Sequence, residues 1–562
     1  MGTYENERPW VALYADGHPG DLDIEFHDAL AMFKAAAARA AERPAMAYFG
    51  ATLSYAEVDR LSDALAVALL EHGVNRGDRV ALFLQNVPPF VIGELAAWKA
   101  GAIAVSINPM NKARELGLLL EDCRPAVLMA QQSAYAAVID KVLEDHPVAL
   151  CISTSELDFQ TRNDPRLFAQ SRRQVPAGTL DLLALTGQYA GRTPPEVHYR
   201  GEDTALLVYT SGTTGLPKGA MNTHGNVAFA AQVYREGLQL KDGATVLALA
   251  PLFHVTGLIG HVALCWLIAG PLVLTYRFEP GVILDAIAEY RPTYTVGAIT
   301  AYIALMNHPG AKPDSFSSFQ AISSGGAPIP PAVVEQFEEK FHQYIYNGYG
   351  LTESTSPAIV TPVRRRAPVD ATFGALSVGV PTFNTYARVC DSNTGALLGV
   401  GQEGEIFLKG PQVVPGYWNK PEETAKALQD GWLATGDIGV MNAEGWVFIV
   451  DRKKDMISAS GYKVWPREVE DVLYAHPAVR EAAVVGIPDA YRGETVKAVL
   501  SLKPGARVTA EAIIGYCKER MAAYKYPRVV EFLPDLPKTA TGKILRRALR
   551  KAVNPVSAPA GK

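Results

Sequence analysis

One stretch of the chain has the composition of an anion-binding loop. Tyr209-Thr210-Ser211-Gly212-Thr213-Thr214-Gly215-Leu216-Pro217-Lys218-Gly219 follows the apolar run 205–208. Its glycines let backbone N–H groups converge on one anion, and Thr210, Ser211, Thr213 and Thr214 add hydroxyl donors, so a polyphosphate is the natural ligand. It is not a Walker A loop, because Pro217 separates the last loop residues from Lys218 where that motif requires Gly-Lys-Ser/Thr. As composition alone, such a turn is more often a plain connection. No serine-hydrolase elbow, HExxH helix or dinucleotide fingerprint occurs in the chain.

The elements that must hold such a loop are written as alternation. Residues 28–42 and 55–73 read as amphipathic helices, and 79–84 as a buried strand followed by a helix through Lys99. Similar strand-like runs recur at 205–209, 245–249, 272–276 and 293–296, which predicts mostly parallel sheets covered by helices on both faces. From about Gly374 short β-rich runs at 386–389, 404–408 and 446–450 alternate with turn residues and predict a β-rich subdomain. A charged run, Asp451-Arg452-Lys453-Lys454-Asp455, then precedes a segment of different charge. Residues 455–562 carry 18 Lys and Arg against 11 Asp and Glu, within a chain of net charge −5, so a basic C-terminal unit follows an acidic body and its partner is expected to be anionic.

A length of 562 residues predicts three or four packing units, and 48% apolar with 20% charged residues excludes disordered, collagen-like and coiled-coil classes. Lys and Arg at 53 against Asp and Glu at 58 argue against a general nucleic-acid binder. Five dispersed cysteines without a CxxC pair indicate neither a zinc site nor a disulfide framework, and fit a reducing cytoplasm. The N-terminus lacks the basic and apolar regions of a secretory signal. Residues 255–276 carry no charge over 22 residues, but Gly270-Pro271 divides them into a helix-length piece (260–269) and a strand-length piece (272–276), as expected of buried core rather than a membrane span.

The loop 209–219 resembles the signature of the AMP-forming acyl-activating superfamily, which includes acyl-CoA synthetases, aryl-CoA ligases, luciferases and peptide-synthetase adenylation domains. Further segments resemble the family's motifs in order: Pro251-Leu252-Phe253-His254, Ser324-Gly325-Gly326-Ala327-Pro328, Asn347-Gly348-Tyr349-Gly350-Leu351-Thr352-Glu353-Ser354, Thr435-Gly436-Asp437, the 451–455 run, Gly461-Tyr462-Lys463 and 537–544. The likeness covers roughly residues 25 to 550 and is greatest to bacterial long-chain fatty-acid CoA ligases, especially along 410–424, 451–457 and 491–497. It implies a large α/β body (1–453, with a β-rich subdomain at about 374–453) and a small mobile α+β C-terminal domain (454–562).

It also implies a reaction: a carboxylic acid is converted with ATP to an acyl-AMP and pyrophosphate, and the acyl group then passes to CoA. On that reading Thr210, Ser211, Gly212, Thr213, Thr214, Gly215 and Lys218 cradle phosphates, while Gly325, Gly326, Ala327, Asn347, Gly348, Tyr349 and Gly350 line the adenine. Asp437 and Arg452 hold the ribose. Thr352 meets the α-phosphate, and Glu353 is the candidate Mg²⁺ ligand, since this ion takes one or two carboxylates together with phosphate oxygens. Lys543 is the expected catalytic lysine, bridging carboxylate and α-phosphate oxygens, and His254 closes the acyl pocket. Lys454 is the expected hinge; Ser460, Gly461, Tyr462 and Lys463 face the pantetheine channel, with Arg467, Lys525 and Arg528 as candidates for the CoA phosphates.

The segments 254–268 and 295–305 are apolar, as an alkyl channel would be. Val296-Gly297 stands where many relatives carry Val-Pro, a departure expected to enlarge or loosen the pocket. An aryl or branched-acid ligase, or an enzyme passing its acyl group to a carrier-protein thiol or an amine, are the alternatives to a medium- to long-chain fatty acid. A homodimer and peripheral contact with the inner membrane through Arg546, Arg547, Arg550 and Lys551 are both compatible with the sequence.

Overall fold

The computed structural model describes residues 8–550 apart from 16, 211–216, 373, 393, 453–454, 460–461, 490–492 and 540–541. Among the described residues the strands form four sheets of nine, seven, five and five. Runs of Val, Ile, Leu and Ala build the central strands of the seven-stranded sheet, and Ile103–Ser106 and Val127–Gln131 are buried at every position, as parallel strands covered on both faces must be. Its order is Leu180–Asp181, Leu150–Thr154, Val127–Gln131, Arg79–Phe83, Ile103–Ser106, Thr204–Thr210 and Lys218–Thr223. Only the last pair is antiparallel, with Thr210 opposite Lys218, so the Ser/Thr/Gly-rich segment between them joins the two arms of a hairpin.

The nine-stranded sheet has a parallel centre running Ile345–Tyr349, Ala321–Gly325, Tyr294–Gly297, Val246–Leu247, Leu272–Leu274 and Pro44–Tyr48, with antiparallel strands at its edges. Val80 and Leu82 of one sheet and Met46 and Leu272 of the other share a core with the helices Ala29–Arg39, Tyr55–Glu71, Pro88–Lys99 and His224–Gly237. Ser54 and Glu57 start the second of these helices with reciprocal side-chain bonds to the backbone. Pro88–Lys99 is buried around its whole circumference, Glu94 included.

The uncharged stretch is core, as expected, with shifted bounds. Val255–Gly257, Leu258–Ala263 and Leu264–Ile268 form successive helical turns, Ala269 ends them at φ +45°, and the strand is Leu272–Leu274. No helix among the described residues is long and apolar enough to cross a membrane.

The β-rich part is an antiparallel sheet of Tyr386–Cys390, Gly404–Lys409, Leu428–Gln429, Trp432–Met441 and Val447–Arg452. The last of these strands leads into the C-terminal unit, where the hairpin of Val479–Asp489 and Gly493–Leu502 pairs with Ile457–Ala459 and, in parallel, with Val529–Phe532. Helices Pro466–Tyr474 and Ala510–Lys518 cover it. The expected boundary at 453/454 lies outside the described residues.

Positive charge in this unit is spent internally more than its sequence suggests. Arg467 is 2% exposed and donates to the carbonyls of Ile449 and Leu376, so it does not await a CoA phosphate in this arrangement. Lys525 pairs with Glu468, and Arg528 donates to Tyr526 and the Ala523 carbonyl. Arg546 lies 2.7 Å from Glu470 and 3.7 Å from both Asp451 and Asp455, and Arg550 lies 2.8 Å from Asp455, so both charges have acidic partners within the protein. Linear charge counting misses this because the acidic partners come from the turn and helix that precede the unit's main hairpin.

Candidate active site

Body and C-terminal unit enclose a cavity of about 1740 Å³. It opens beyond the carboxyl ends of the parallel strands Ala321–Gly325 and Ile345–Tyr349, the usual position for a ligand in an open α/β sheet. Gly325, Gly326 and Ala327 line it from one strand end; Asn347, Gly348, Tyr349 and Gly350 line it from the next. The two ends can approach because they are glycine: a Cβ on Gly325 would stand 2.8 Å from the carbonyl oxygen of Gly348. Thr210 and Lys218, at the mouth of the hairpin, face the same cavity. Ser211, Gly212, Thr213, Thr214 and Gly215 lie outside the described residues.

Thr352 and Glu353 follow in a single tight turn on the cavity wall. The turn is held from behind by Asn222, whose Nδ2 donates to Thr352 O (2.9 Å) and Thr355 Oγ1 (2.8 Å). Glu353 Oε1 accepts from Tyr417 Oη at 2.7 Å, and Lys218 Nζ sits 4.4 Å above the Tyr417 ring and 3.5 Å from Glu423. Among the described residues no group of three or more His, Cys, Asp or Glu converges as a self-sufficient metal cage. A lone oriented carboxylate beside a phosphate-sized space nevertheless fits Mg²⁺, which completes its shell with phosphate oxygens and water.

Asp437 is buried, with Tyr349 Oη donating to its Oδ2 at 2.6 Å, while its neighbours Thr435 and Gly436 line the cavity. The backbone of Arg452 lies directly opposite Asp437 in the antiparallel pair, so the two expected ribose positions, distant from Tyr349 in sequence, are cross-strand neighbours beside it.

Lys543 enters the same cavity from the C-terminal unit. Its Cε would stand 3.1 Å, and its Nζ 3.6 Å, from a Cβ placed on Gly326, itself at φ +77°; the missing side chain at 326 leaves the lysine its path. His254 caps the short turn that follows it, its Nδ1 accepting from Thr256 N, and it lines the cavity close enough to feel that lysine. Burial, with the Lys543 charge adding to it, pushes His254 down to about 3, so its imidazole is neutral at physiological pH. Lys454, Ser460 and Gly461 lie outside the described residues. Tyr462 and Lys463 fall on the strand Tyr462–Val464, paired with Ile457–Ala459.

The AMP-binding enzyme family matches residues 33–418, and its C-terminal domain matches residues 468–543. The chain belongs to this family. It is 37% identical over 558 residues to a long-chain-fatty-acid–CoA ligase of Bacillus subtilis, covering 97% of this chain and 98% of that one. Over 508 residues it is 35% identical to a feruloyl-CoA synthase of an Amycolatopsis species, covering 90% and 95%. Among solved structures, an anthranilate CoA ligase in complex with anthranoyl-AMP superposes with a TM-score of 0.84 at 28% identity, covering 94% of this chain and 97% of that one.

Within this AMP-binding enzyme the acyl side of the cavity corrects one expectation. A Cβ on Gly297 would lie 2.7 Å from Leu249 Cδ2, so the glycine does not enlarge the pocket; Leu249 occupies the space. Gly260 likewise makes room for the Tyr234 ring, 2.9 Å from where its Cβ would be. Tyr234 Oη stands 3.3 Å from Ser356 Oγ, which adds a hydroxyl pair to the cavity lining outside the segments 254–268 and 295–305. Tyr417 was not singled out as a site residue by sequence, and neither was Asp122, which accepts from Tyr209 Oη (2.7 Å) and pairs with Lys420 (3.2 Å). Nothing in the sequence links either to the site, because their partners come from other elements.

Proposed function

We propose that the enzyme is an acid–thiol ligase that activates a medium- to long-chain fatty acid. A carboxylate oxygen attacks the α-phosphorus of ATP and pyrophosphate departs; the CoA thiol then attacks the acyl carbonyl of the adenylate, and AMP departs. The observation that carries the first step is the entry of Lys543 into the cavity that Tyr349, Thr352 and Glu353 also line. An ammonium there is suited to charge developing on the carboxylate and α-phosphate oxygens. Neutral His254 neither repels that ammonium nor competes for the carboxylate, and so serves as a wall of the acyl pocket.

Glu353, oriented by Tyr417, would hold Mg²⁺, which when bound supplies positive charge against the triphosphate. Thr210 and Lys218, with the loop between them, are suited to the β- and γ-phosphates. Asp437 and Arg452 are proposed for the ribose, with Tyr349 against the adenine. CoA is the proposed acceptor, and Lys454 the proposed pivot about which the C-terminal unit turns for the second step. ATP, CoA and the acid are the partners of this reading; cytoplasmic location with peripheral membrane contact, and a dimeric state, belong to it only as proposals.

Fatty acids are favoured by near full-length similarity to the Bacillus ligase. One observation favours an aryl acid instead: Tyr234 and Ser356 place hydroxyls where an alkyl chain needs none. Pyrophosphate release measured across short, medium and long fatty acids and aryl acids, with and without CoA, separates the two. Highest turnover with medium- to long-chain fatty acids is expected; preference for a hydroxylated aryl acid overturns the chain assignment and leaves the reaction intact. Acyl-AMP that accumulates without CoA consumption overturns the thiol step.

A further inference from the structure

We propose that Thr300 is a positioning residue for adenylation, holding the Lys543 loop in the cavity. The inference rests on the reading of Lys543 as the adenylating lysine. Thr300 is the second residue of the helix Ile299–Met306, whose first turn lines the acyl side of the cavity. Its Oγ1 donates to the carbonyl oxygen of Gly542 at 2.8 Å, a bond between body and C-terminal unit at the residue immediately before the lysine.

The geometry at that contact is demanding on both partners. Gly542 has φ +79°, which disfavours any residue with a side chain, and a Cβ there would stand 2.8 Å from Thr300 Oγ1 and 3.4 Å from Ala298 Cβ. The approach therefore needs a left-handed residue with no side chain on the loop and a small donor on the helix. The loop transmits the constraint because it is closed on itself. Gly542 N donates to Thr539 O (2.9 Å), Lys543 N donates to Thr539 Oγ1 (3.1 Å), and Lys538 and Ile544 form a bridge across it. Fixing Gly542 O thus fixes the Lys543 backbone, and the side chain extends from there past Gly326.

Two consequences follow. The bond is made only while the C-terminal unit is docked with Lys543 inside, so it assists the first half-reaction and is absent from any pose that withdraws the lysine. It also originates on the helix turn carrying Ile299, so an acid seated against that turn sits on the element that steadies Lys543.

The test compares Thr300→Val, which keeps the shape and removes the donor, with Thr300→Ser, which keeps the donor. Both are assayed beside Lys543→Ala, using the best acid of the panel above and its synthetic adenylate. Thr300→Val is expected to slow acid-dependent ATP–pyrophosphate exchange about tenfold, to leave thioester formation from supplied acyl-AMP and CoA unchanged, and to be rescued by serine. Exchange within about twofold of wild type in Thr300→Val, alongside its loss in Lys543→Ala, overturns the role of Thr300 and spares that of the lysine. Exchange retained by Lys543→Ala overturns both. Equal slowing of both half-reactions by Thr300→Val, or no rescue by serine, reduces Thr300 to a packing residue and overturns the proposal.

Discussion

Lys543 reaches the body at a glycine, and Glu353 is held by a tyrosine, so each residue with a proposed chemical role depends on a partner from another part of the chain. Replacing Lys543 by alanine removes the one proposed donor to the transferring oxygens. Adenylation is expected to fall about 10²-fold or more, while thioester formation from supplied acyl-AMP persists, as read by pyrophosphate release and thiol consumption. A second residue, far from this chemistry, sets a pH dependence. Burial without a partner pushes Glu94 up to about 8. The unfolded chain ionises this group above its ordinary value near 4.5, whereas the folded protein keeps it protonated until about 8, so the folded state binds more protons in that window and stability falls as pH rises through it. Glu94→Gln is therefore expected to stabilise the protein by roughly 2–4 kcal/mol at pH 7 and to flatten the decline between pH 5 and 8, measured by denaturant unfolding.

At the scale of elements, the site is a meeting of ends. Parallel strands stop at Gly325 and Tyr349 and leave room beyond their carboxyl ends; the hairpin of Thr204–Thr210 and Lys218–Thr223 presents Thr210 and Lys218 to the same room. Gly325→Ala forces a methyl group onto the backbone oxygen of Gly348, which has no rotamer through which to move. The strand ends must separate, so stability is expected to drop by about 1–3 kcal/mol with a raised KM for ATP, checked by thermal melting and initial rates. These elements were largely legible. Period-two and helical patterns located the strands at 205–209, 272–276 and 293–296 and the helices at 28–42 and 55–73, because burial on a fixed face is a local demand on sequence. Bounds were less so: the helix expected at 260–269 begins at Val255, since His254 caps it from a segment that carries no other helical signal.

For the whole molecule, the excess of Lys and Arg after residue 455 is partly matched by internal acidic partners. Arg467, Arg546 and Arg550 fasten the unit to itself and to the strand before it. Lys543 comes to the cavity with the pose of the unit as a body. If the unit turns about Lys454 between half-reactions, Lys454→Pro is expected to spare pyrophosphate release and to slow CoA turnover by at least about tenfold; equal rates in both assays reject the pivot.

The sequence by itself determined the reaction class and named the residues proposed to carry it out. Loop 209–219, Glu353 and Lys543 are short strings whose chemistry is local, readable without knowing where they lie. Tertiary structure alone decided which of them meet and through whom. Tyr417 behind Glu353, Tyr349 on Asp437 and Thr300 on Gly542 each join positions far apart in the chain. It also decided that Gly297 is a space filled by Leu249 and that Tyr234 brings a hydroxyl into the acyl pocket. The reason is physical: a motif fixes what a few consecutive atoms can bind, whereas a cavity is the shape left when separate elements close-pack, and no single element encodes its own neighbours.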